Sequence, residues 1–131
     1  MTAKIIDGKK IAQETISEIK EAISRAKIEG VNPPGLAVIQ VGENPVSKIY
    51  VRNKRIACDQ VGMKSFNHDL PETTSEKKLI ELVASLNKNS EIHGILVQLP
   101  LPDHINETKI IETIDPIKDV DGFHPYTIGR L

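Results

Sequence analysis

LAVIQVGENPVSKIYVRNKRIACDQVG, residues 36–62, decides the fold because it joins a buried strand directly to a long helix. Its first six residues form a nearly continuous apolar run, which is typical of a parallel strand that is covered on both faces. Asn44 and Pro45 suit the N-cap and the first helical position, and Gly62 suits a left-handed stop at the other end. The stretch therefore predicts a strand at residues 36–41 and a helix that ends near Gly62.

The helix in this stretch carries a candidate site. An inward-facing stripe is predicted at helical spacing by Val46, Tyr50, Ala57 and Val61. Lys54 occupies the gap in this stripe, which allows two interpretations. Its stem can lie along apolar surface with the ammonium in water, the commoner outcome for such a lysine. Alternatively it lines a cleft as a general acid or base, with Tyr50 and Ser47 beside it. That group would suit a flat, polar-edged substrate.

The rest of the chain alternates strands and helices in the same way. The predicted elements are a short strand at 4–6, a turn at Asp7-Gly8, an amphipathic helix to about Ile28, a weaker strand at 63–69, a helix from the capping-box spacing TTSE (73–76) to about Leu86, a third strand at 93–99 and a helix at 106–114. The first of these helices is expected to bury a stripe of Ile11, Ala12, Ile16, Ile19, Ile23 and Ala26. This alternation implies right-handed crossovers and parallel strands. The predicted fold class is α/β, a three-layer βαβ domain with a mostly parallel sheet covered by helices on both faces.

Composition narrows the classes of partner. The chain has 131 residues, 39% of them hydrophobic, and a formal net charge of −1 without a basic run, which argues against a nucleic-acid partner. A lone Cys58 excludes an internal disulfide and fits a reducing compartment. No apolar run is long enough to span a bilayer, and the first residues lack a signal-peptide pattern. We expect a cytoplasmic protein that binds small molecules rather than nucleic acid or membrane.

Two further groups of polar residues follow the predicted strands. Gln98 closes the buried strand within GILVQLPLP (94–102), at the sheet edge where Lys54 is also expected. Its amide can therefore accept a hydrogen bond from the lysine. The commoner alternative is that nearby backbone groups satisfy the amide. Asp119 and Asp121 alternate within KDVDGF (118–123), which is most often a solvated turn. A calcium site or a glycosidase carboxylate pair would need ligands or spacing that this segment lacks.

The sequence contains no fingerprint for a metal or a nucleotide. The four histidines have no metal-ligand spacing, Cys58 has no evident base partner, and the eight glycines form neither G-x-G-x-x-G nor a P-loop. No metal site and no cofactor-binding residue is therefore predicted in this chain.

Three long motifs in fixed order carry a family resemblance: VGENPVSKIYVRNKRIAC (41–58), GILVQLPLP (94–102) and KDVDGFHPYTIGRL (118–131). With KIIDGKKIA (4–12) and LPETTSE (70–76), they closely resemble the bifunctional methylenetetrahydrofolate dehydrogenase/methenyltetrahydrofolate cyclohydrolase family of the bacterial FolD type, over essentially the whole chain.

The resemblance implies a role for each candidate residue. Lys54 would be the acid–base residue, Tyr50 would stack on the rings of folate, and Gln98 would hydrogen-bond the lysine and tune it. Asp121 would anchor the pterin ring. The remaining expected contacts are Ser47 near the site and Leu99 and Pro100 in its wall.

The resemblance also implies an activity. Methylenetetrahydrofolate would give a hydride to NADP, and water would then add to the methenyl cation to yield formyltetrahydrofolate. Family members are roughly twice this length and homodimeric, with a C-terminal Rossmann domain that binds NADP. We therefore expect residues 1–131 to be the N-terminal catalytic, tetrahydrofolate-binding domain. We also expect it to have no dehydrogenase activity alone and an exposed apolar strip where a returning helix would dock.

Two rival functions remain open at this point. One is a non-catalytic folate-binding or assembly module that keeps the cleft without performing chemistry. The other is an unrelated α/β hydrolase or metal site that uses Asp119 and Asp121.

Overall fold

The structure is a computed structural model that describes residues 2–131. Within this range the elements follow in the order α1 (Gly8–Ile28), β1 (Gly35–Val41), α2 (Pro45–Val61), β2 (Lys64–Leu70), α3 (Glu76–Lys88), β3 (Gly94–Val97), α4 (Glu107–Thr113), a 3-10 helix (Pro116–Lys118) and α5 (Pro125–Ile128).

The three strands form one parallel sheet in the order β2-β1-β3. The central strand β1 pairs along its whole length with β2, from Gly35 opposite Lys64 to Val41 opposite Leu70. Six of its seven residues are buried, as expected of an apolar strand between two layers of helices. The strand predicted at residues 36–41 is confirmed.

Helices cover both faces of this sheet. On one face Ala37 and Ile39 belong to the main core with Leu79 of α3 and Ile110 of α4, and each fully buried Ile or Leu side chain contributes about 1.5–3 kcal/mol. On the other face a smaller cluster joins Val38, Leu96 and Val51 of α2. The predicted α/β class, a three-layer arrangement with a parallel sheet, is confirmed.

Both predicted ends of α2 are confirmed. Asn44 Oδ1 accepts hydrogen bonds from the backbone N–H groups of Val46 and Ser47, at 3.0 and 3.1 Å. At the other end Gly62 has φ of 85°, the left-handed conformation in which a residue without a Cβ is favoured.

The predicted buried stripe of α2 is wrong in its phase. Val46, Tyr50 and Ala57 are exposed, and the buried residues are Ser47, Val51, Cys58 and Val61. Ser47 is small and polar and Cys58 is small, so neither stands out in an apolar pattern, yet both allow the helix to pack closely on the sheet. Lys54 falls at helical spacing between Val51 and Cys58 and is half-buried. It therefore still fills the gap in the buried stripe.

The strand predicted at residues 4–6 is absent. Residues 2–7 have no regular secondary structure, and Ile5 and Ile6 are exposed because no neighbouring strand pairs with them. Asp7 does not turn the chain but caps α1, where its carboxylate accepts a hydrogen bond from the Lys10 N–H at 3.1 Å.

The stripe predicted on α1 is not buried. The helix has no buried residue, and Ile11 and Ile19 are exposed, because α1 packs mainly on the outer side of α2 rather than on the sheet. Ile5 and Ile6 before α1 and Ile11 and Ile19 along it are exposed, and a docking strip for a returning helix stays a prediction.

The capping box predicted at 73–76 is also wrong. Ser75 is the N-cap of α3, where its hydroxyl accepts from the Lys78 N–H, and Thr74 turns inward to the carbonyl of Pro71. The carboxylate of Glu76 accepts instead from the N–H of Asn106, ahead of α4.

The third strand is shorter than the predicted 93–99. It pairs with β1 over Gly94–Val97 and leaves the sheet before the prolines that follow. The helix predicted at 106–114 is confirmed as α4.

Candidate active site

Lys54 and Gln98 meet at the edge of the sheet where β1 and β3 end. Lys54 Nζ donates a hydrogen bond to Gln98 Oε1 at 3.2 Å, which is the contact expected from the sequence. Gln98 Nε2 donates in turn to the Leu99 carbonyl at 2.9 Å. Both ends of the amide are therefore engaged, and its orientation towards the lysine is fixed.

Tyr50 supplies an aromatic face one turn before the lysine. Lys54 Nζ lies 5.7 Å from the centroid of the Tyr50 ring, within the range of a cation–π contact. The tyrosine is 56% exposed, so most of its ring surface is available for a planar ligand.

Asp119 and Asp121 have different surroundings. The Asp119 carboxylate accepts hydrogen bonds from the N–H groups of Gly122 and His124, at 3.1 and 3.0 Å, and from Thr127 Oγ1 at 2.8 Å. Its backbone also bridges to Ile95 in β3. Asp119 thus organises the loop and ties it to the sheet.

Asp121 is the carboxylate whose pKa responds to the charge of Lys54. Burial of its carboxyl raises the pKa of Asp121, the Lys54 ammonium opposes this increase, and the Asp119 charge adds to it. Although the residue as a whole is exposed, the protein atoms around the carboxyl displace enough water to disfavour its charge. Tyr50, Lys54, Gln98 and Asp121 together present a phenol, an amine, an amide and a carboxylate.

The other three predicted site residues occupy less open positions. Ser47 is 4% exposed on the buried side of α2, and its N–H donates to the Asn44 cap, so it offers little surface to a cleft. Leu99 is half-buried against the main core, and Pro100 is exposed after a cis peptide bond.

Two features of this region escaped the sequence reasoning. The first is the role of Asp119, although an aspartate three residues before a glycine is a known turn signal. The second is a cavity on the other flank of α2, which includes Gln40 and Arg55. Its signals were a glutamine interrupting the apolar run of β1 and basic residues at helical spacing. Among residues 2–131, no group of three or more His, Cys, Asp or Glu side chains is placed to hold a metal ion.

A family model described as tetrahydrofolate dehydrogenase/cyclohydrolase, catalytic domain, matches residues 6–121. The chain belongs to this family. The bifunctional protein FolD of Methylobacillus flagellatus is 58% identical over 131 residues, which are 100% of this chain and 45% of that protein. The chain thus spans about half the length of the curated relatives that it matches.

Solved structures of this folate family have the same fold. The FolD enzyme of Campylobacter jejuni superposes with a TM-score of 0.90 at 46% identity, over 94% of this chain and 43% of that one. The Trypanosoma brucei methylenetetrahydrofolate dehydrogenase-cyclohydrolase, solved with NADP cofactor and an inhibitor, gives a TM-score of 0.92 at 34% identity, over 99% of this chain and 44% of that one. The family resemblance seen in the sequence motifs is confirmed. No helix within residues 2–131 is long and apolar enough to cross a membrane.

Proposed function

We propose that this chain is the folate-binding and acid–base half of a bifunctional one-carbon enzyme. The enzyme would oxidise methylenetetrahydrofolate to methenyltetrahydrofolate with NADP and hydrolyse the product to formyltetrahydrofolate. In this proposal residues 1–131 are the N-terminal catalytic domain of a longer protein. The 3.2 Å hydrogen bond from Lys54 Nζ to Gln98 Oε1, beside Tyr50, is the observation that carries it, and the charge of Lys54 also acts on Asp121.

The proposed substrate matches the polar and aromatic groups of the cleft. The open face of Tyr50 suits the flat ring system of folate. The carboxylate of Asp121 suits the N–H edge of the pterin, since a charged acceptor strengthens such hydrogen bonds. Leu99 and Pro100 are proposed as wall residues, with Ser47 close to the site in the first turn of α2.

Hydrolysis needs a group that moves protons beside the methenyl carbon. Water oxygen bonds to that carbon while neutral Lys54 takes one of its protons, and the cation becomes a neutral carbinolamine. The lysine then returns the proton to the departing ring nitrogen as the C–N bond breaks and the hydroxyl proton leaves to solvent. The net reaction releases one proton. General acid–base help of this kind contributes about 10²–10⁴-fold.

NADP, when bound, would accept the hydride in the oxidation step. Residues 2–131 fit this cofactor poorly, because the turn from β1 into α2 offers no free cradle of amides for a pyrophosphate. Pro45 has no N–H, and Asn44 Oδ1 already accepts from the first available amides of α2. We therefore propose that NADP is bound chiefly by a second, Rossmann-type domain of the whole protein.

The wider setting is part of the same proposal. The whole protein is proposed to be a cytoplasmic homodimer without a nucleic-acid or membrane partner. Its one-carbon products would serve the biosynthesis of purines and amino acids, including methionine and histidine.

The test is hydrolysis of methenyltetrahydrofolate by the chain with Lys54→Met, followed through the absorbance of the methenyl group. Turnover is expected to fall by about 10²–10⁴-fold because the proton acceptor is lost. Binding of a folate analogue, measured by calorimetry, should change by less than about threefold, whereas Tyr50→Ala should weaken it by about tenfold through lost stacking. Lys20→Met, on the exposed surface of α1, is the control.

The results separate the acid–base proposal from its rival. If the wild type and Lys54→Met both bind the analogue but hydrolyse the substrate no faster than buffer alone, the cleft is a non-catalytic folate-binding module. If both hydrolyse it equally fast and faster than buffer, Lys54 is not the acid–base residue. If Tyr50→Ala binds as tightly as the wild type, the folate site is elsewhere.

A further inference from the structure

A cavity of about 610 Å³ lies beside α2, on the flank away from Tyr50. At about 100° per residue, Lys48, Arg52 and Arg55 project together from this flank, whereas Tyr50 and Lys54 project from the other. The remaining walls come from the carboxyl ends of β1 and β2, including Gln40 and Asp69. The cavity is therefore separated from the candidate folate cleft by the body of the helix.

The acidic groups of this cavity are already committed to two of its cations. Arg55 Nη2 donates to both carboxylate oxygens of Asp69, at 2.7 and 2.8 Å, and Lys48 Nζ lies 3.3 Å from Glu43. The side chain of Arg52 has no hydrogen bond or ion pair with any other residue between 2 and 131. The lining thus carries one positive charge more than its carboxylates balance.

Two buried donors of the same cavity also lack an acceptor. Gln40 is only 5% exposed, and its Nε2 is buried with no hydrogen-bond partner. The Nε of Arg55 is in the same condition, although the other end of its guanidinium is paired. Such groups are rare because an unpaired buried donor loses its hydration without compensation.

We propose that this cavity is a binding site for a small oxyanion, a carboxylate or a phosphate group. Its oxygens accept from Gln40 Nε2 and Arg55 Nε, and Arg52 balances its charge. Arginine is suited to this task because its planar fork of donors matches both kinds of group. The site is independent of the folate chemistry proposed for the other flank of α2.

The test is a titration of the ¹⁵N-labelled 131-residue chain with inorganic phosphate at constant ionic strength. Saturable shifts are expected at the Gln40 Nε2 and Arg55 Nε signals. A parallel titration with glutarate distinguishes a carboxylate source from a phosphate source, and saturation by either supports the site. A Gln40 amide turned by 180° would present its oxygen instead of its donors; neither ligand would then produce a saturable shift, which would overturn the proposal.

Matched variants locate the binding. Arg52→Gln, at an exposed position, and Gln40→Met, which keeps the volume, should each raise the Kd for the bound oxyanion by about tenfold. Arg25→Gln, in an exposed pair with Glu21 on α1, should change it by less than about twofold. Equal weakening by Arg25→Gln would mean that only general surface charge is measured. Thermal unfolding curves check that each variant is folded.

Discussion

Lys54 and Gln98 are 44 residues apart in the chain, and their side chains are joined by a hydrogen bond of 3.2 Å. Gln98→Leu removes the acceptor but keeps a side chain of similar size. We expect kcat for methenyltetrahydrofolate hydrolysis to fall by about tenfold or more, because small errors in the position of an acid–base group are costly. The affinity for a folate analogue should change by less than about threefold.

Gln60→Leu, on the exposed side of α2, is the matched control for this experiment. An unchanged kcat in Gln98→Leu would show that the amide does not position the lysine. A loss of affinity equal to the loss of kcat would show that Gln98 acts in binding.

The raised pKa of Asp121 predicts a pH dependence for pterin binding. An aspartate ordinarily titrates near pH 3.8, and burial around Asp121 moves this upward. The ionised carboxylate is the form that accepts from a pterin N–H, so affinity should decline on acidification at a higher pH than for an ordinary aspartate. The limiting slope is about tenfold per pH unit. Calorimetry with a pterin that lacks a glutamate tail avoids titration of the ligand's own carboxyl groups.

Asp121→Asn should bind the pterin more weakly and lose this pH dependence, whereas Asp59→Asn, at an exposed position of α2, should retain it. A wild-type affinity that stays constant down to pH 4 would contradict the assigned role.

Removal of the Asp119 carboxylate is expected to reduce both stability and binding, because three hydrogen bonds of its loop depend on it. Asp119→Ala should lower the free energy of unfolding by about 1–3 kcal/mol, because its partly buried donors lose their acceptor. It should also weaken pterin binding through displacement of Asp121. Urea denaturation and calorimetry measure the two effects. Asp103→Ala, at an exposed position, should change neither; equal effects in both variants would refute the assignment.

The contact of Glu76 in α3 with Asn106 and Lys109, at the start of and within α4, is expected to be sensitive to acid. The N–H of Asn106 and the ammonium of Lys109 hold the pKa of Glu76 below its ordinary value of 4.5. Because the folded-state pKa is lowered, the stabilisation is present above pH 4.5 and disappears as the pH falls through the folded-state value. The Tm of the wild type should therefore drop more steeply than that of Glu76→Gln between about pH 5 and 3.

Glu81→Gln removes an exposed carboxylate from the same helix and should keep the wild-type slope. Parallel curves for the wild type and Glu76→Gln would show that the link has no acid sensitivity.

The first residue of β1, Gly35, has no room for a side chain. A Cβ at this position would collide with the Glu91 carbonyl oxygen, so Gly35→Ala requires the backbone to move. We expect a loss of about 1–3 kcal/mol in the free energy of unfolding. Gly8→Ala, where nothing lies within 4 Å of the added Cβ, should be neutral or slightly stabilising in the same urea denaturation experiment. Equal stability of both variants would contradict the close approach.

Local signals explain which parts of the fold could be predicted. Three predicted features depend only on residues that are adjacent in the sequence: the apolar run of β1, the Asn44 cap and the Gly62 stop. All three are confirmed. The phase of α2 depends on where the sheet lies, and small residues such as Ser47 and Cys58 gave no apolar signal. A strand at residues 4–6 needed a neighbouring strand to pair with, which no local pattern could supply.

The same distinction applies to the candidate site. Contact between Lys54 and Gln98 could be predicted because the carboxyl ends of parallel strands meet at one edge of a sheet. The different roles of Asp119 and Asp121 could not be predicted, because nothing in the sequence distinguishes two aspartates in K-D-V-D-G. Only the folded loop shows that the Asp119 carboxylate already accepts hydrogen bonds. The unpaired donors of Gln40 and Arg55 could not be predicted either, because they can be recognised only when the hydrogen bonds of the folded protein are known.

The amide of Gln98 has one further effect. With its nitrogen bound to the Leu99 carbonyl, only its oxygen can face the lysine, and an oxygen can only accept. A neutral amine that directs one N–H at this oxygen must point its lone pair elsewhere. The hydrogen bond to Gln98 thus orients the neutral amine so that its lone pair points away from the sheet.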